Sequence, residues 1–475
     1  MKKLLYILFI IAFFSTPLWS ACTGSTPTWA SSPDYASVNS CLSGSTAGDT
    51  INVTAGDGTE TWSSTLTITK EIHIIGPGKS NLTISKTNSG YLMSFMPASQ
   101  AANPEIEISG FTFSIGNTAG GIELWDHQTT ITSFMNRANI HDCSFIGKTS
   151  WSQLGQEYIL SAGMGGVVWN NTFTGNWQYF RGMQQGNISS LTNLDVNLGT
   201  INALYFEDNI FTKIGTDDYY IYDCQYGGIR VTWRYNTWNI PNTGNLNVID
   251  WHEYSNDTYA ACQGHLLYGN NFDFTSNGST YALAAARGGR GIVAFNSFTT
   301  TEASNYIGWA SGEYGCPSTY TEHQVVQTYA VSNLRNLSTN DISGWDAQSG
   351  TSCDSVADYP AVDWNLFNWN TTESGSSQTY GTRCGTDHTA VTTCAERSGY
   401  WETSQGNCTD ITGYVGDITT NPTRNDIDGT LYVCDDSNVW SEWFTPYTYP
   451  HPLRGEAEEE TIIKKIMTFF RRLRG

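Results

Sequence analysis

The hexapeptide Val168-Trp169-Asn170-Asn171-Thr172-Phe173 is one copy of a pattern that recurs through the middle of the chain. The pattern is a short apolar run, then Asn-x-aromatic, then a turn with Gly or Thr. A degenerate early copy reads Asp142-Cys143-Ser144-Phe145. Later copies contain Asn209-Ile210-Phe211, Asn236-Thr237-Trp238, Asn270-Asn271-Phe272 and Asn296-Ser297-Phe298.

The spacing of this pattern indicates a solenoid. From Phe145 onward the aromatic positions are 28, 38, 27, 34 and 26 residues apart. A base period of about 26 residues with short β-type runs excludes propeller blades, which need about 40. No Leu-x-x-Leu-x-Leu frame of a leucine-rich repeat occurs. We therefore predict an all-β parallel β-helix, in which each coil contributes one strand to a first, a second and a third sheet.

Each part of the repeated pattern has an expected structural role. The aromatic residues should point inward and stack from coil to coil. Asparagine suits a tight turn because it tolerates positive φ. Because a side-chain amide both donates and accepts hydrogen bonds, we expect a ladder along the external turns rather than a catalytic role. Its members would be Asn171, Asn209, Asn236, Asn270 and Asn296.

The N-terminus has the features of a secretory signal peptide, residues 1–21. Lys2 and Lys3 precede an apolar run over residues 4–14, which is too short to span a bilayer. Cleavage near Ala21 would leave Cys22 at the new terminus. Trp19 occupies the position where a lipoprotein signal needs a small or branched aliphatic residue, so ordinary cleavage is favoured. We expect a secreted, periplasmic or cell-surface protein.

The charge of the chain limits its partners. There are 23 basic and 44 acidic residues, a net charge of -21 that becomes -23 without Lys2 and Lys3. Such a surface repels phosphate backbones, so nucleic acid is excluded as a partner. It also repels acidic polysaccharides unless a metal cation bridges the two.

Eleven cysteines in an exported chain suggest disulfides. Cys22 and Cys41 could staple an N-terminal cap, Cys224 and Cys262 could link neighbouring turns, and Cys143 would be left over. The last third of the chain contains the other six, Cys316, Cys353, Cys384, Cys394, Cys408 and Cys434.

Three stretches carry a family resemblance. The first is the opening, with residues 47–53, 66–68 and 74–78 as short apolar strands around Gly and Pro. The second is the set of Asn-x-aromatic coils. The third is the ending Tyr447-Thr448-Tyr449-Pro450-His451-Pro452-Leu453-Arg454. Together they resemble the pectate-lyase-like superfamily of right-handed parallel β-helices, especially its exported bacterial members. The resemblance covers most of residues 22–345 and the ending, and it is specific for fold but weak for activity.

Four segments follow from this interpretation. After the signal peptide, residues 22–345 form the β-helix with its N-terminal cap. Residues 346–454 are rich in Cys and Trp, and we expect a disulfide-tied β region that caps the end of the helix. Residues 455–475 have an acidic start, a basic end and apolar residues at helical spacing. They predict an amphipathic helix that could contact an anionic membrane surface or dock on the capped end.

The resemblance implies a substrate cleft formed by the first sheet and the loops beside it. Two coils are longer than the base period, and we expect part of the excess before the next first-sheet strand. These loops place Trp177, Tyr179 and Arg181 as substrate-binding candidates. Alignment on the glycines that follow the first-sheet strands puts Cys224 and Arg287 in one column.

The residues expected around that column would suit β-elimination on an acidic polysaccharide. Asp223, Asp250 and Glu253 are hard oxygen ligands that could hold Ca²⁺. Arg287 or His252 would remove the proton beside the sugar carboxylate. Arginine is the base in the resembling lyases, although no diagnostic lyase motif surrounds Arg287. The remaining substrate-binding candidates are Trp251 and Arg290.

Two other functions remain open. A glycoside hydrolase would need two carboxyl groups across the bond, which Asp217, Asp218, Asp223, Asp250 and Glu253 could supply. Alternatively, the β-helix would be a stiff, non-catalytic surface or adhesion protein. Clustered carboxylates with arginine on the first sheet favour an enzyme, and a flat Thr, Ser and Asn face favours a scaffold.

Overall fold

The computed structural model describes twenty-two stretches of the chain. They are residues 22–97, 102–125, 135–149, 157–176, 179–183, 199–215, 222–224, 230–240, 247–251, 264–274, 282–286, 289–300, 307–309, 325–331, 333–335, 343–345, 366–369, 382–394, 398–404, 416, 426–434 and 438–455. The predicted signal peptide and the predicted C-terminal helix beyond Gly455 lie outside them.

The strands form three large sheets and one small sheet. Sheet A contains, in spatial order, β1 (Cys22–Ser25), β2 (Thr28–Ser31), β3 (Asp49–Val53), β6 (Ile72–Ile75), β9 (Ile106–Ser109), β12 (Ala138–His141), β15 (Gly166–Trp169), β18 (Leu204–Glu207), β21 (Val231–Arg234), β24 (His265–Tyr268), β27 (Gly289–Ala294), β30 (Val325–Val331) and β33 (Leu366–Trp369). Sheet B contains β4 (Thr59–Thr61), β7 (Thr83–Lys86), β10 (Thr112–Ile115), β13 (Ser144–Ile146), β16 (Thr172–Gly175), β19 (Ile210–Lys213), β22 (Thr237–Asn239), β25 (Asn271–Phe274), β28 (Ser297–Thr300) and β31 (Leu334–Arg335).

Sheet C is the first sheet of the sequence-based prediction. It contains β5 (Leu66–Ile68), β8 (Gly90–Phe95), β11 (Ala119–Trp125), β14 (Ile159–Ala162), β17 (Phe180–Met183), β20 (Tyr222–Cys224), β23 (Asn247–Trp251), β26 (Ala282–Ala286), β29 (Ile307–Trp309) and β32 (Ser343–Trp345). Sheet D contains β34 (Thr382–Gly385), β35 (Gly399–Glu402), β36 (Thr430–Cys434) and β37 (Trp440–Phe444). Within the described residues, the helices are α1 (Tyr35–Gly44) and two 3-10 turns, His388–Ala390 and Pro452–Arg454.

The strands recur in the order C, A, B, and we call three consecutive strands a coil. Strands of successive coils pair in parallel throughout sheets B and C, and in sheet A from β2 onward. Ile140 of sheet A, Phe173 of sheet B and Ile159 of sheet C belong to one buried core. The chain is therefore an all-β, solenoid-like fold built from parallel sheets.

The asparagine ladder is confirmed, and it runs through the buried turn between sheets A and B. The backbone N–H and the Nδ2 of Asn209 both donate to Oδ1 of Asn236, each at 3.0 Å. The Nδ2 of Asn209 also donates to the carbonyl of Val168 at 2.8 Å. The same linkage joins Asn171, Asn209, Asn236, Asn270, Asn296 and Asn333, which adds one member to the prediction. These side chains are at most 1% exposed, so the ladder is internal rather than external.

The left-handed backbone of each turn lies one residue before the ladder asparagine, which corrects our explanation of the asparagine. Six turn residues have φ between 52° and 68°, namely Asp142, Asn170, Asp208, Tyr235, Gly269 and Phe295. The ladder positions are therefore asparagine because its amide bridges coils, and not because the turn needs positive φ there. Tyr235 and Phe295 show that the ladder and the surrounding contacts hold even residues that seldom adopt this conformation.

The inward aromatic stack is also confirmed. The ring centroids of Phe145 and Phe173 are 4.7 Å apart, and those of Phe173 and Phe211 are 4.8 Å apart. Offset stacks at these distances add stabilisation beyond burial alone. The stack continues through sheet B over Phe113, Phe145, Phe173, Phe211, Trp238, Phe272 and Phe298, all at most 1% exposed.

The N-terminal cap and its disulfide match the prediction. Asp34 caps α1 by accepting a hydrogen bond from the N–H of Ser37 at 2.9 Å. Val38 of α1 is packed in the same core as the strands. Cys22 and Cys41 form a disulfide, so the sulfur of Cys22 is already used by a bond to protein.

The cysteines further along the chain are resolved in part. Cys143 is buried and free, as expected for the unpaired member. It occupies the ladder position of the degenerate copy, where its backbone N–H donates to Oδ1 of Asn171 at 2.9 Å. Cys394 and Cys434 form a second disulfide at sheet D. Cys262, the predicted partner of Cys224, lies outside the described residues.

Sheet D, from the Cys- and Trp-rich region, packs on the outer side of sheet A. Leu431 and Phe444 of sheet D share a cluster with Leu266 and Ile292, on the face of sheet A that is turned away from the main core. This face of sheet A is apolar in its later coils, and sheet D covers it. A cap at the end of the helix stays a prediction.

We expect the ladder to contribute more to stability than ordinary surface asparagines. Asn236→Ala should lower the free energy of unfolding by about 3 kcal/mol or more, because several buried donors and acceptors lose their partner. The control Asn88→Ala removes only an exposed contact to the Ser63 carbonyl and should cost less than about 1 kcal/mol. Urea denaturation of both variants measures the difference, and equal losses would contradict an energetic role for the ladder.

Candidate functional site

The sequence-predicted site residues fall into three groups. Trp177, His252, Glu253 and Arg287 lie outside the described residues. The strands that carry Asp223, Asp250, Trp251 and Arg290 are described, so these four have a register position. The side chains of Tyr179 and Arg181 are described in full.

Asp223 and Asp250 are brought together by the register of sheet C. Asp223 of β20 pairs directly with Asp250 of β23, in the adjacent coil. On the other side, Asp223 pairs with Arg181 of β17. Neighbouring strands are about 4.8 Å apart. Three ionisable residues therefore occupy one register position over three successive coils.

Along each strand of sheet C, the residue just before this register position belongs to the core. Residues one position before it, such as Ile159, Phe180 and Ile249, are fully buried in the main cluster. Because successive side chains of a strand alternate between faces, the register position of Arg181, Asp223 and Asp250 belongs to the opposite, outer face of sheet C. We refer to it as the outer column of sheet C.

The glycine-based alignment of the first-sheet strands is wrong by one residue. Cys224 pairs with Trp251, and Trp251 pairs with Ala286 instead of Arg287. A shift of one residue exchanges the two faces of a strand. Arg290 lies on β27 of sheet A, so it is not on the sheet that carries Asp223 and Asp250. The glycines follow the strands at unequal distances, which is why they are a poor guide to register.

Tyr179 is a core residue instead of a substrate-binding residue. Its ring is 1% exposed and stacks on Tyr158 with the centroids 5.6 Å apart. Its hydroxyl donates to the carbonyl of Thr212 at 2.7 Å. The additional length of the two long coils lies mainly between β17 and β18 and between β23 and β24, after the sheet C strands and not before them.

Arg181 is only 2% exposed and is held in a buried polar cluster. Its Nη1 lies 3.2 Å from Oε1 of Glu157, which is fully buried. The hydroxyl of Tyr91 donates to the other oxygen, Oε2 of Glu157, at 2.8 Å. Burial raises the pKa of Tyr91 far above its ordinary value, and the charge of Glu157 adds to this, so Tyr91 remains a neutral donor. The cluster fixes the guanidinium beside the outer column.

Glu123 is a further carboxylate of the outer column that sequence reasoning missed. It pairs with Ser94 on β8, whose hydroxyl donates to Oε2 of Glu123 at 2.6 Å. Leu160 separates it from Arg181 in the column. Tyr91 and Glu123 belong to coils that lack the full Asn-x-aromatic pattern, so their register could not be derived from the repeat. The one signal in the sequence was the pair Gly120-Gly121, because adjacent glycines indicate that another part of the chain lies close to the backbone.

A second titratable cluster lies on the outer face of sheet A, near its N-terminal end. The carboxylate of Glu107 contacts Nδ1 of His73 at 2.5 Å and Nε2 of His141 at 3.1 Å. Nδ1 of His141 contacts Asp142 at 2.7 Å, and its ring stacks on Trp169 with the centroids 4.6 Å apart. These groups are partly exposed.

The charges in this second cluster support one another. The hydrogen bonds from His141 and His73 lower the pKa of Glu107 to about 2. The hydrogen bond to Glu107 raises the pKa of His73. Burial opposes protonation of His141, but its bonds to Asp142 and Glu107 outweigh burial and raise its pKa. The cluster therefore favours two protonated imidazoles beside two carboxylates.

No protein-family model matches the chain, and no curated protein matches it. Across the described stretches, no three His, Cys, Asp or Glu side chains converge as a metal site would require. No helix in the described part of the chain is long and apolar enough to cross a bilayer.

The Tyr91–Glu157 contact should depend on the absence of a side chain at Gly120. A Cβ at Gly120 would lie 2.3 Å from Cδ1 of Tyr91. We expect Gly120→Ala to destabilise the protein by about 1–3 kcal/mol in the wild-type background. The same change in a Tyr91→Ala background should cost much less. A double-mutant cycle by urea denaturation tests this, and additive losses would contradict it.

The sheet A cluster should respond to removal of its central carboxylate. Glu107→Gln should lower the pKa of both imidazoles, more for His73, because His141 keeps Asp142. In the wild type, a raised histidine pKa gives stability that is present below about pH 6.5 and is lost as the pH rises through the folded-state pKa. NMR titration of the histidine ring protons measures both values, and unchanged values would contradict the assignment.

Proposed function

We propose that this protein is an exported right-handed parallel β-helix that cleaves an acidic polysaccharide by β-elimination along the outer face of sheet C. The observation that supports this most is the outer column, in which Arg181, Asp223 and Asp250 follow one another in three successive coils. A row of charged residues at the spacing of the coils suits a linear polymer that runs across the strands. The two disulfides fit an oxidising compartment and so support export.

The proposed reaction gives each residue a role. A base removes the proton on the carbon beside the sugar carboxylate, and the electron pair forms a carbon–carbon double bond while the glycosidic oxygen leaves. We assign the base to Arg287 or His252. They directly follow Ala286 and Trp251 in the sequence, and these two residues are paired on adjacent strands. The substrate carboxylate must be neutralised during this step, because negative charge develops next to it.

Asp223 and Asp250 would neutralise the substrate carboxylate indirectly, by binding a cation. Two carboxylates at adjacent coils would repel a polyuronate, because unit charges 4 Å apart interact by about 4 kcal/mol at an effective dielectric of 20. Carboxylates at this spacing are suitable Ca²⁺ ligands, with Glu253 as a third. A bound Ca²⁺ would supply the positive charge that attracts the substrate carboxylate. Arg181, which is paired with the buried Glu157, occupies the same register position in the preceding coil, so the cation would have to come from the bound Ca²⁺.

A panel of acidic polysaccharides, assayed with and without Ca²⁺, tests this function. β-Elimination produces an unsaturated uronate that absorbs ultraviolet light. We expect absorbance to rise with at least one polymer, and Asp223→Asn and Asp250→Asn to lower the rate about 100-fold or more, as loss of transition-state charge stabilisation does. The control Asp57→Asn changes an exposed loop residue and should retain full activity.

The other outcomes separate the alternatives. New reducing ends without ultraviolet absorbance would replace the lyase by a glycoside hydrolase. Binding of a polymer without cleavage would favour a surface or adhesion protein. Cleavage that is unaffected by both aspartate variants would show that the outer column of sheet C is not the site.

A further inference from the structure

The C-terminal strap, which we define as residues 447–455, is bound to sheet A by apolar contacts. Tyr447 and Leu453 pack on a cluster that includes Trp169 and Tyr205, on the face of sheet A turned away from the core. The carbonyl of Leu453 accepts a hydrogen bond from Nδ2 of Asn139 at 2.9 Å. The strap is thus attached to coils that precede it by more than 200 residues.

Buried charges hold the strap in place. Arg234, fully buried, forms an ion pair with Glu207 and donates to the carbonyl of Thr448 at 2.8 Å. Arg454 pairs with Oδ2 of Asp208 at 2.6 Å and with Oε2 of Glu207 at 3.2 Å. The Arg454 guanidinium also lies over the ring of Trp169, 4.5 Å from its centroid. Glu207 is the shared partner of both arginines.

His451 lies at the centre of this contact, with a side chain that is fully buried. Its ring centroid is 5.1 Å from that of Tyr205 and 5.4 Å from that of Tyr447. Its Nδ1 accepts a hydrogen bond from the N–H of Leu453 at 3.2 Å. An imidazole that accepts at Nδ1 must be neutral, with its proton on Nε2.

The surroundings of His451 oppose a positive charge on it. Burial is the largest effect and lowers its pKa to about 4, with Arg234 and Arg454 acting in the same direction and Glu207 opposing them. Asp208 and the hydroxyls of Tyr268 and Tyr449 are the other ionisable groups in contact with this network. A proton on Nδ1 would also meet the N–H of Leu453, so donor would face donor.

We propose that the strap is an acid-released clamp, in which protonation of His451 detaches residues 447–455 from the outer face of sheet A. Docking would be complete above about pH 6.5, the ordinary histidine pKa, where the side chain is neutral in both states. It would weaken as the pH falls towards about 4, because only the released strap binds the proton easily. Release would uncover Trp169 and Tyr205, an aromatic surface that is covered at neutral pH.

Hydrogen exchange of the full chain, read by mass spectrometry and corrected for the intrinsic effect of pH, tests the clamp. The amides of His451, Leu453 and Arg454 all donate hydrogen bonds in the docked strap. We expect their protection to fall about 10-fold or more between about pH 6.5 and about pH 4. The ladder amides of sheet A should keep their protection over the same range. Equal loss at both places would indicate general acid unfolding and would overturn the proposal.

His451→Asn is the matched variant, because its side-chain oxygen can accept from Leu453 without titrating. We expect the strap of this variant to remain protected at the lower pH. The control His73→Asn changes a histidine away from the strap and should release the strap as the wild type does. Loss of protection in His451→Asn equal to that of the wild type would overturn the proposal.

A titration of the wild-type protein tests the proposal even if the strap of the His451→Asn variant fails to dock. NMR of the wild-type histidine rings should give His451 a pKa well below the ordinary value while the strap is protected. A His451 that titrates near the ordinary value of about 6.5 with the strap still docked would also overturn the proposal.

Discussion

The hydrogen bonds between ladder asparagines are the constraint on which the rest of the structure depends. Between ladder asparagines, the side-chain Oδ1 accepts from the asparagine of the preceding coil, and the Nδ2 donates to the asparagine of the following coil. All of these groups are buried. A buried donor or acceptor without a partner is costly, so each coil must meet the next with the same residue at the turn. A shift of the register by one residue at Asn236 would leave hydrogen-bond donors and acceptors on two neighbouring coils without partners.

The ladder fixes the registers of sheets A and B directly. Two residues after five of the six ladder asparagines comes the aromatic residue, so alignment of the amides also aligns the stacked rings of sheet B. The strand before the turn belongs to sheet A, and its register follows from the same anchor. Sheet C is farther along the coil, and its strands are separated from those of sheet A by turns of very different length. The coils that carry the outer column of sheet C and the coils that contact the strap are therefore held at their positions along the stack by one row of amides.

The same logic explains what could be predicted from the sequence. The ladder and the aromatic stack could be predicted because the Asn-x-aromatic pattern repeats at equal positions relative to one turn, and the free Cys143 was expected as the cysteine left over from the proposed pairs. The Cys22–Cys41 bond was readable because the two residues flank the cap. Asp223 and Asp250 were expected near one groove, but the predicted column of Cys224 and Arg287 was shifted by one residue, since the glycines after sheet C strands belong to turns of unequal length.

The features that could not be predicted depend on contacts between distant parts of the chain. Tyr91 reaches Glu157 across 66 residues, from a coil in which no repeated asparagine gives the register. Tyr179 was assigned to a loop because its coil is longer than the base period, whereas its ring is buried and its hydroxyl contacts backbone carbonyls inside the core. The strap was noticed as an ending of the family type, but no local pattern shows that its Arg454 pairs with Glu207 and Asp208.

A crystal structure of the protein grown with Ca²⁺ and a short oligouronate would test the central claim most directly. The account predicts a cation bound by the carboxylates of Asp223 and Asp250, and an oligosaccharide that crosses β17, β20 and β23 on the outer face of sheet C. The account would be contradicted if these two carboxylates turn away from each other and the sugar binds elsewhere.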